Sequence, residues 1–221
     1  MSGRLSEQWS NEGFRRSVII ALRLWNRALS SGPHSGPEQQ QQHAIRALQE
    51  LWTPTHAARK PEMPGESDSV KVSSGSDPAE IPSAMMDRLL DFPSRRLAVY
   101  GSLAPGKKNH HQMAGMEGTW RKALLRGTLH NAGWGAAQGF LGFIWDGSES
   151  AIDAMVFSSN DLPQHWQRLD EFEGAEYRRI LVPVEILPQQ AKIGLAGGPV
   201  IKTDEIEICN VYELTQSPEA P

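Results

Sequence analysis

A short apolar strand that stops at a glycine is the feature that most constrains this chain. Residues 97–100 form the predicted strand, and residues 101–103 carry it into a polar loop that Pro105-Gly106 closes. Glycine at this point lets a ligand approach the backbone, because no Cβ stands in the way. Successive N–H groups in such a loop can bind an anion or oxyanion. An ordinary strand and turn is the alternative for this motif alone.

The clearest helix lies downstream, over residues 159–174. Its apolar positions recur at spacings of four and three, and a further step of four reaches an acid; the stripe is Leu162, Trp166, Leu169 and Glu173. On this spacing Asp170 and Glu171 face away. A carboxylate on an apolar face must be paired, protonated or functional, because burying its charge costs several kcal/mol. The structural alternative is a glutamate on the last helical turn that either extends into solvent or pairs with Arg178 or Arg179.

Composition excludes several classes of function. The 221 residues carry a net charge of -4, so no basic excess indicates nucleic acid as the main partner. Cys209 is the one cysteine, which fits a reducing compartment. No apolar run reaches the length of a membrane span, and no signal peptide is evident. We expect a soluble cytoplasmic protein.

Composition also divides the chain. Residues 1–52 are predicted to be an N-terminal extension with one or two helices, and residues 216–221 a tail. Residues 53–84 are predicted to be a disordered linker, because they are rich in proline, serine, glycine and charged residues and have almost no large apolar side chains. The functional domain is expected over residues 85–215, and we expect it to fold without the upstream part. Its short strands and glycine-rich turns predict a small mixed barrel.

The first predicted helix, residues 14–29, is basic and amphipathic. Its apolar stripe is Phe14, Val18, Leu22, Trp25 and Leu29. Such a helix can lie on a membrane surface. Packing on its own domain is the favoured interpretation, because Glu7 and Glu12 dilute the positive end.

The last predicted strand, residues 205–214, alternates between two faces. One face carries Ile206, Ile208, Asn210, Tyr212 and Leu214, and the other carries Glu205, Glu207 and Glu213. Asn210 on the apolar face either lines a pocket or is a satisfied interior amide.

Two motifs, in this order and spacing, resemble the gamma-glutamylcyclotransferase-like family, and most closely its gamma-glutamylamine cyclotransferase branch. The first is Tyr100-Gly101-Ser102-Leu103 with Pro105-Gly106 and Asn109-His110 behind it. The second is Leu169-Asp170-Glu171-Phe172-Glu173-Gly174 followed by Tyr177-Arg178-Arg179. The resemblance covers about residues 96–214 and leaves out the N-terminal part.

The resemblance implies an α+β fold in which a small mixed β-barrel with one main helix surrounds a central cavity. It implies that the loop Tyr100, Gly101, Ser102 and Leu103 holds a glutamyl group and that Glu173 is the general acid/base. Tyr212 is included among the expected substrate-binding residues. The implied reaction converts a small-molecule gamma-glutamyl amine or peptide to 5-oxoproline and a free amine, with no metal and no cofactor.

Two departures from the family pattern leave the substrate open. Residues 133–137 stand where a Tyr-Pro-containing loop is usual, and residues 153–155 stand where a glycine is usual. A non-catalytic ligand-binding or interaction module on the same fold is the main alternative. A serine hydrolase using Ser102 with His110 or His111 is disfavoured, because the Gly-x-Ser-x-Gly elbow is missing.

Overall fold

The computed structural model describes residues 2–30, 37–52, 80–148, 150–188 and 205–216. Its helices are α1 (Ser2–Trp9), α2 (Glu12–Ser30), α3 (Pro37–Trp52), α4 (Glu80–Leu89) and α5 (Leu162–Glu173). Its strands are β1 (Arg96–Val99), β2 (Thr119–Arg126), β3 (Thr128–His130), β4 (Gly142–Ile144), β5 (Ala151–Ser158), β6 (Tyr177–Ile186) and β7 (Ile206–Leu214). Of the predicted linker, residues 53–79 lie outside the described residues, as does the tail from residue 217.

Five of the strands close into a barrel in the order β1-β5-β2-β6-β7. β1 and β7 run parallel, with Leu97 beside Asn210, and the other neighbouring strands are antiparallel. β3 and β4 form a separate two-stranded sheet. The predicted small mixed barrel of the α+β class is therefore confirmed.

Alternation along β1 places its side chains in two different apolar clusters. Ala98 packs inside the barrel, whereas Leu97 and Val99 pack on the opposite face with α5. α5 contributes the predicted stripe of Leu162, Trp166 and Leu169, all of which are buried. This packing holds the end of α5 beside the end of β1.

The N-terminal helices cover the outside of the barrel. The stripe of α2 shares one apolar cluster with barrel residues Leu181, Ile206 and Ile208. Asn26 of α2 bonds both backbone groups of Leu181, donating to its oxygen at 2.8 Å and accepting from its nitrogen at 2.9 Å. Leu29 was expected on the stripe but is 51% exposed. The division of domains near residue 85 stays a prediction.

β7 is buried along its whole length. On one face, Ile206 and Ile208 pack with the N-terminal helices and Tyr212 packs with α5, and the other face points into the barrel. Its two acidic side chains Glu207 and Glu213 are only 6% and 5% exposed. They are paired with Arg121 and Arg178, respectively. Asn210 donates to the Pro93 oxygen at 2.7 Å, so it is a satisfied interior amide.

Among the described helices, none is both long and apolar enough to cross a bilayer.

Candidate active site

A cavity that is partly open to solvent lies beside the end of β1. The residues expected to bind substrate or act as acid/base all line it: Tyr100, Gly101, Ser102, Leu103, Glu173 and Tyr212. The strand-to-glycine motif and the acid at the end of α5 therefore face one cavity, although about seventy residues separate them. Their roles in binding and catalysis stay predictions.

The loop after β1 presents free backbone donors. The N–H groups of Gly101, Ser102 and Leu103 have no acceptor among the residues that the structure describes. The loop is held through its carbonyls, since the Gly101 oxygen accepts from Ala104 N at 3.2 Å and the Ser102 oxygen accepts from Asn109 N at 3.0 Å. A Cβ built on Gly101 would meet nothing within 4 Å, so its surroundings are open. This arrangement can accept an anionic or carbonyl oxygen.

Tyr100 connects barrel strand β7 to strand β4 of the separate sheet through its hydroxyl. The hydroxyl donates to the Tyr212 backbone oxygen at 3.1 Å and accepts from Phe143 N at 3.1 Å. Burial raises the pKa of Tyr100, so the hydroxyl stays neutral. Both of these contacts are structural, and the part of Tyr100 that remains for a ligand is its ring.

Glu173 lies on the last turn of α5 and is half-buried. Burial, and after it the negative charge of Asp170, raise the pKa of Glu173 to about 7 from 4.5. The alternative of pairing with Arg178 or Arg179 is wrong. Arg178 bonds Glu213 at 2.9 Å and Arg179 bonds Asp170 at 3.0 Å, and no described residue forms an ion pair with Glu173.

Asp170 lies off the apolar stripe, as predicted, and does not line the cavity, but it is half-buried and bonded to neighbouring strands. Its carboxylate accepts from the Tyr212 hydroxyl at 2.7 Å and from Arg179 at 3.0 and 3.1 Å. The Arg179 guanidinium lies over the Trp166 ring, 4.2 Å from its centroid. Glu171 is exposed, as predicted. Asp170 thus orients the Tyr212 side chain on the cavity wall.

The loop before β4, where residues 133–137 depart from the family pattern, lines the cavity with residues that were not individually assigned to the site. Trp134 donates its indole N–H to the backbone oxygen of Glu173 at 3.0 Å, and its ring meets Phe172 edge-on at 5.5 Å. Phe140 and Leu141 line the same cavity. The signal available in the sequence was the unusual glycine- and tryptophan-rich composition of residues 131–139.

The geometry contradicts a serine–histidine pair. Ser102 Oγ accepts from Asn109 Nδ2 at 2.9 Å. His110 Nδ1 contacts the Leu103 oxygen at 2.9 Å, and His111 Nδ1 contacts the Lys108 oxygen at 3.2 Å. Across the described ranges, no three histidine, cysteine, aspartate or glutamate side chains are grouped so as to hold a metal ion.

The family model described as "Gamma-glutamyl cyclotransferase, AIG2-like" matches residues 97–217, which is more than half of the chain. The chain belongs to this gamma-glutamyl cyclotransferase family. The resemblance stated from the two motifs is therefore confirmed. Members of this family are generally cyclotransferases that act on small gamma-glutamyl molecules.

Three solved structures illustrate how distant the similar proteins are. YkqA from Bacillus subtilis is 25% identical with a TM-score of 0.37, over 55% of this chain and 36% of that one. An AIG2-like protein from Mus musculus is 18% identical with a TM-score of 0.42, over 57% and 80%. Uncharacterized protein PH0828 from Pyrococcus horikoshii is 20% identical with a TM-score of 0.35, over 57% and 81%. The match therefore spans only about a third of YkqA, and no curated protein matches the chain.

Proposed function

We propose that this protein is a gamma-glutamyl cyclotransferase that converts a gamma-glutamyl amine or peptide to 5-oxoproline and a free amine. Glu173 is the general acid/base, and the loop 100–103 binds the glutamyl group. One observation carries the proposal: a half-buried carboxylate without an ion-pair partner among the described residues lines the same cavity as Gly101, Ser102 and Leu103, whose N–H groups have no described acceptor. No metal or cofactor takes part in the proposed reaction.

The nucleophile is the substrate's own α-amine. Glu173 removes a proton from the α-ammonium, and the amine nitrogen then attacks the γ-carbonyl carbon to close a five-membered ring. The proton on Glu173 passes to the leaving nitrogen as the bond between that nitrogen and the carbon breaks. The Glu173 carboxylate then takes the second proton from the ring nitrogen and passes it to the departing amine, which leaves as an ammonium ion. Because attack is intramolecular, the cavity has mainly to hold the reacting conformation, and good orientation is worth roughly 7–11 kcal/mol.

The raised pKa of Glu173 suits this proton transfer. A free α-ammonium has a pKa of about 8, so a carboxylate with its ordinary pKa would take the proton at a cost of about 5 kcal/mol. Glu173, with a pKa of about 7, lowers that cost to about 1–2 kcal/mol. The apolar surroundings that raise the pKa therefore improve Glu173 as a base and leave it able to act as an acid.

The loop after β1 supplies the electrostatic part of catalysis. Attack turns the γ-carbonyl oxygen into an oxyanion, and the N–H groups of Gly101, Ser102 and Leu103 are free to stabilise it. Each such donor is typically worth about 3–4 kcal/mol. The rings of Tyr100 and Tyr212 are proposed to contact the glutamyl chain, since their hydroxyls are bonded elsewhere.

Release of 5-oxoproline from a panel of gamma-glutamyl amines and peptides tests the proposal. Wild type is expected to form product, and Glu173→Gln is expected to lower kcat about 10²–10⁴-fold. Glu171→Gln is the matched control, because Glu171 is exposed and bonds only Gln167 among the described side chains. No product from wild type across the panel would instead favour the non-catalytic binding module.

The cytoplasmic location also stays a prediction, which cell fractionation tests.

A further inference from the structure

A second cleft lies between α2 and residues 145–148, on the outside of the barrel, and is here called the α2 cleft. It has a volume of about 570 Å³, is partly open to solvent and shares no lining residue with the candidate active site. Pockets that bind ligands are typically about 300–1,000 Å³. The family match begins at residue 97, so the wall that α2 forms lies outside it.

One face of α2 lines this cleft, at spacings of three and four residues. Its residues are Glu12, Arg15, Arg16, Ile19, Ile20 and Arg23. The apolar stripe of α2 is a different face and is already packed against the barrel. Ile20 is 50% exposed although it is a large apolar side chain. The face towards the cleft is therefore the one that α2 has available for a partner.

The charge of the α2 cleft is positive, although the net charge of the whole chain is -4. Three exposed arginines of the cleft form no ion pair with any described residue: Arg15, Arg16 and Arg23. Glu12 lies on the same face and forms no ion pair with them. Arg126 and Glu185, on the opposite wall, neutralise each other through bonds of 2.8 and 3.1 Å. Three unpaired positive charges thus stand against one negative charge.

Arg23 is held in place without using its hydrogen-bond donors. Its guanidinium lies over the Trp145 ring, 5.3 Å from the centroid, and donates to no described residue. A Cβ on Gly147 would come within 3.0 Å of Arg23 Nη2, so the glycine leaves room for the guanidinium. A stacked guanidinium keeps its planar set of N–H donors, which matches the two oxygens of a carboxylate.

The spacing of the arginines indicates an extended ligand. Arg16 and Arg23 are seven residues apart on α2, so they are about 10 Å apart along the helix axis. An extended peptide covers this distance in about three residues. Ile20 lies between the two arginines, and Trp9 and Trp145 also line the cleft. A segment with acids about three residues apart and apolar side chains between them therefore complements the cleft in charge and in polarity.

The shape and the acids of the cleft favour a peptide over a membrane or a nucleic acid. A flat bilayer surface does not enter a cleft between a helix and a turn. A nucleic acid would bring closely spaced phosphates towards Glu12 and Glu185, and the chain as a whole is negative. The carboxylates of a peptide can instead be placed singly on the arginines.

We infer that the α2 cleft binds an extended acidic segment of a partner protein. Carboxylates of the segment bind Arg15, Arg16 and Arg23, and its apolar side chains pack between Ile20 and Trp145. The binding site does not depend on the proposed cyclotransferase function, since the two sites share no lining residue.

Fluorescence anisotropy of a labelled peptide, Glu-Pro-Leu-Glu-Pro-Leu-Glu, with the full chain tests the inference. The peptide is expected to bind saturably. Peptides with glutamine in place of each glutamate, or serine in place of each leucine, are expected to bind about tenfold or more weakly. No saturable binding up to about 1 mM protein, or equal affinity for the three peptides, would overturn the inference.

Substitutions in α2 show whether the peptide binds in this cleft. Arg16→Gln and Arg23→Gln are each expected to weaken binding about tenfold or more, because each removes a charged hydrogen-bond partner. Arg46→Gln is the matched control, since Arg46 is an exposed arginine of α3 that pairs with Glu50 and does not line the cleft. All three side chains are exposed, so the variants are expected to fold. Equal affinity of the three variants would contradict the assignment of the cleft.

Co-sedimentation with vesicles of phosphatidylserine and phosphatidylcholine in about equal parts tests the membrane alternative. Wild type and the double variant Arg16→Gln/Arg23→Gln are expected to sediment to the same extent. Vesicle binding that the double variant loses, together with no binding of the acidic peptide, would overturn the inference in favour of a membrane surface.

Discussion

Trp134 donates its indole N–H to the backbone oxygen of Glu173 at 3.0 Å. This bond joins the loop that lines the cavity to the helix turn that carries the proposed acid/base. Trp134 thus contacts the turn that carries Glu173 and also lines the cavity. A change at Trp134 is therefore expected to affect turnover.

Trp134→Phe removes the donor and keeps an aromatic ring against Phe172. We expect kcat for gamma-glutamyl-methylamide to fall about tenfold or more, because small displacements of a catalytic group are costly. The methylamide has a very small leaving group, so the effect mainly reports the position of Glu173. Ala137→Ser, in the exposed part of the same loop, is the control. Equal kcat values for the two variants would show that the bond from Trp134 does not position Glu173 for catalysis.

The pH dependence of kcat/KM should report the ionisation of Glu173. Its carboxylate must be deprotonated in the free enzyme to act as base, so kcat/KM is expected to fall below pH 7 with an apparent pKa of about 7. Asp170→Asn removes one cause of the raised pKa of Glu173 and should move this fall in kcat/KM to lower pH. Glu171→Gln should leave its apparent pKa unchanged. An apparent pKa that does not change in Asp170→Asn would contradict the effect of the Asp170 charge on Glu173.

Glu173 is expected to reduce stability at neutral and alkaline pH. Its folded-state pKa is raised, so the folded protein binds the proton more tightly than the unfolded chain does, and the free energy of unfolding falls as pH rises from 4.5 to about 7. Glu173→Gln should therefore raise that free energy by roughly 1–3 kcal/mol at pH 8. It should have little effect at pH 4. Urea unfolding at the two pH values measures this, and a larger gain at pH 4 would contradict the burial argument.

Asn26 is expected to anchor α2 to the barrel. Asn26→Ala leaves the buried N–H and C=O of Leu181 without their partner, which should lower the free energy of unfolding by roughly 2–4 kcal/mol. Ser17→Ala on the exposed side of the same helix is the control. Denaturant unfolding of the full chain provides the measurement. Equal stability of the two variants would mean that α2 adds little to the barrel.

The local parts of the site were predictable from sequence. A strand that stops at Gly101 and a helical stripe that ends on Glu173 are patterns of neighbouring residues, and the structure brings both to one cavity. The contact between Trp134 and Glu173 was not predictable, because it depends on how the loop packs at Gly133 against Tyr177. Long-range packing of this kind leaves no periodic signal in the sequence.

Two errors arose from treating single elements in isolation. Asp170 lies off the apolar stripe of its helix, yet Arg179 and Tyr212 reach it from neighbouring strands. The alternation of β7 correctly separated its two faces, but it did not show that Glu207 and Glu213 would be buried and paired with arginines of neighbouring strands. Both outcomes depend on which elements meet in the folded chain, which the pattern within one element does not record.

The most direct test of the central claim is a crystal structure of the full chain soaked with 5-oxoproline. We predict that the product lies in the cavity with its ring carbonyl oxygen accepting from N–H groups of residues 101–103 and its ring N–H towards the Glu173 carboxylate. Product bound elsewhere, or a cavity that stays empty of product at saturating concentration, would contradict the claim that this loop and Glu173 form one active site.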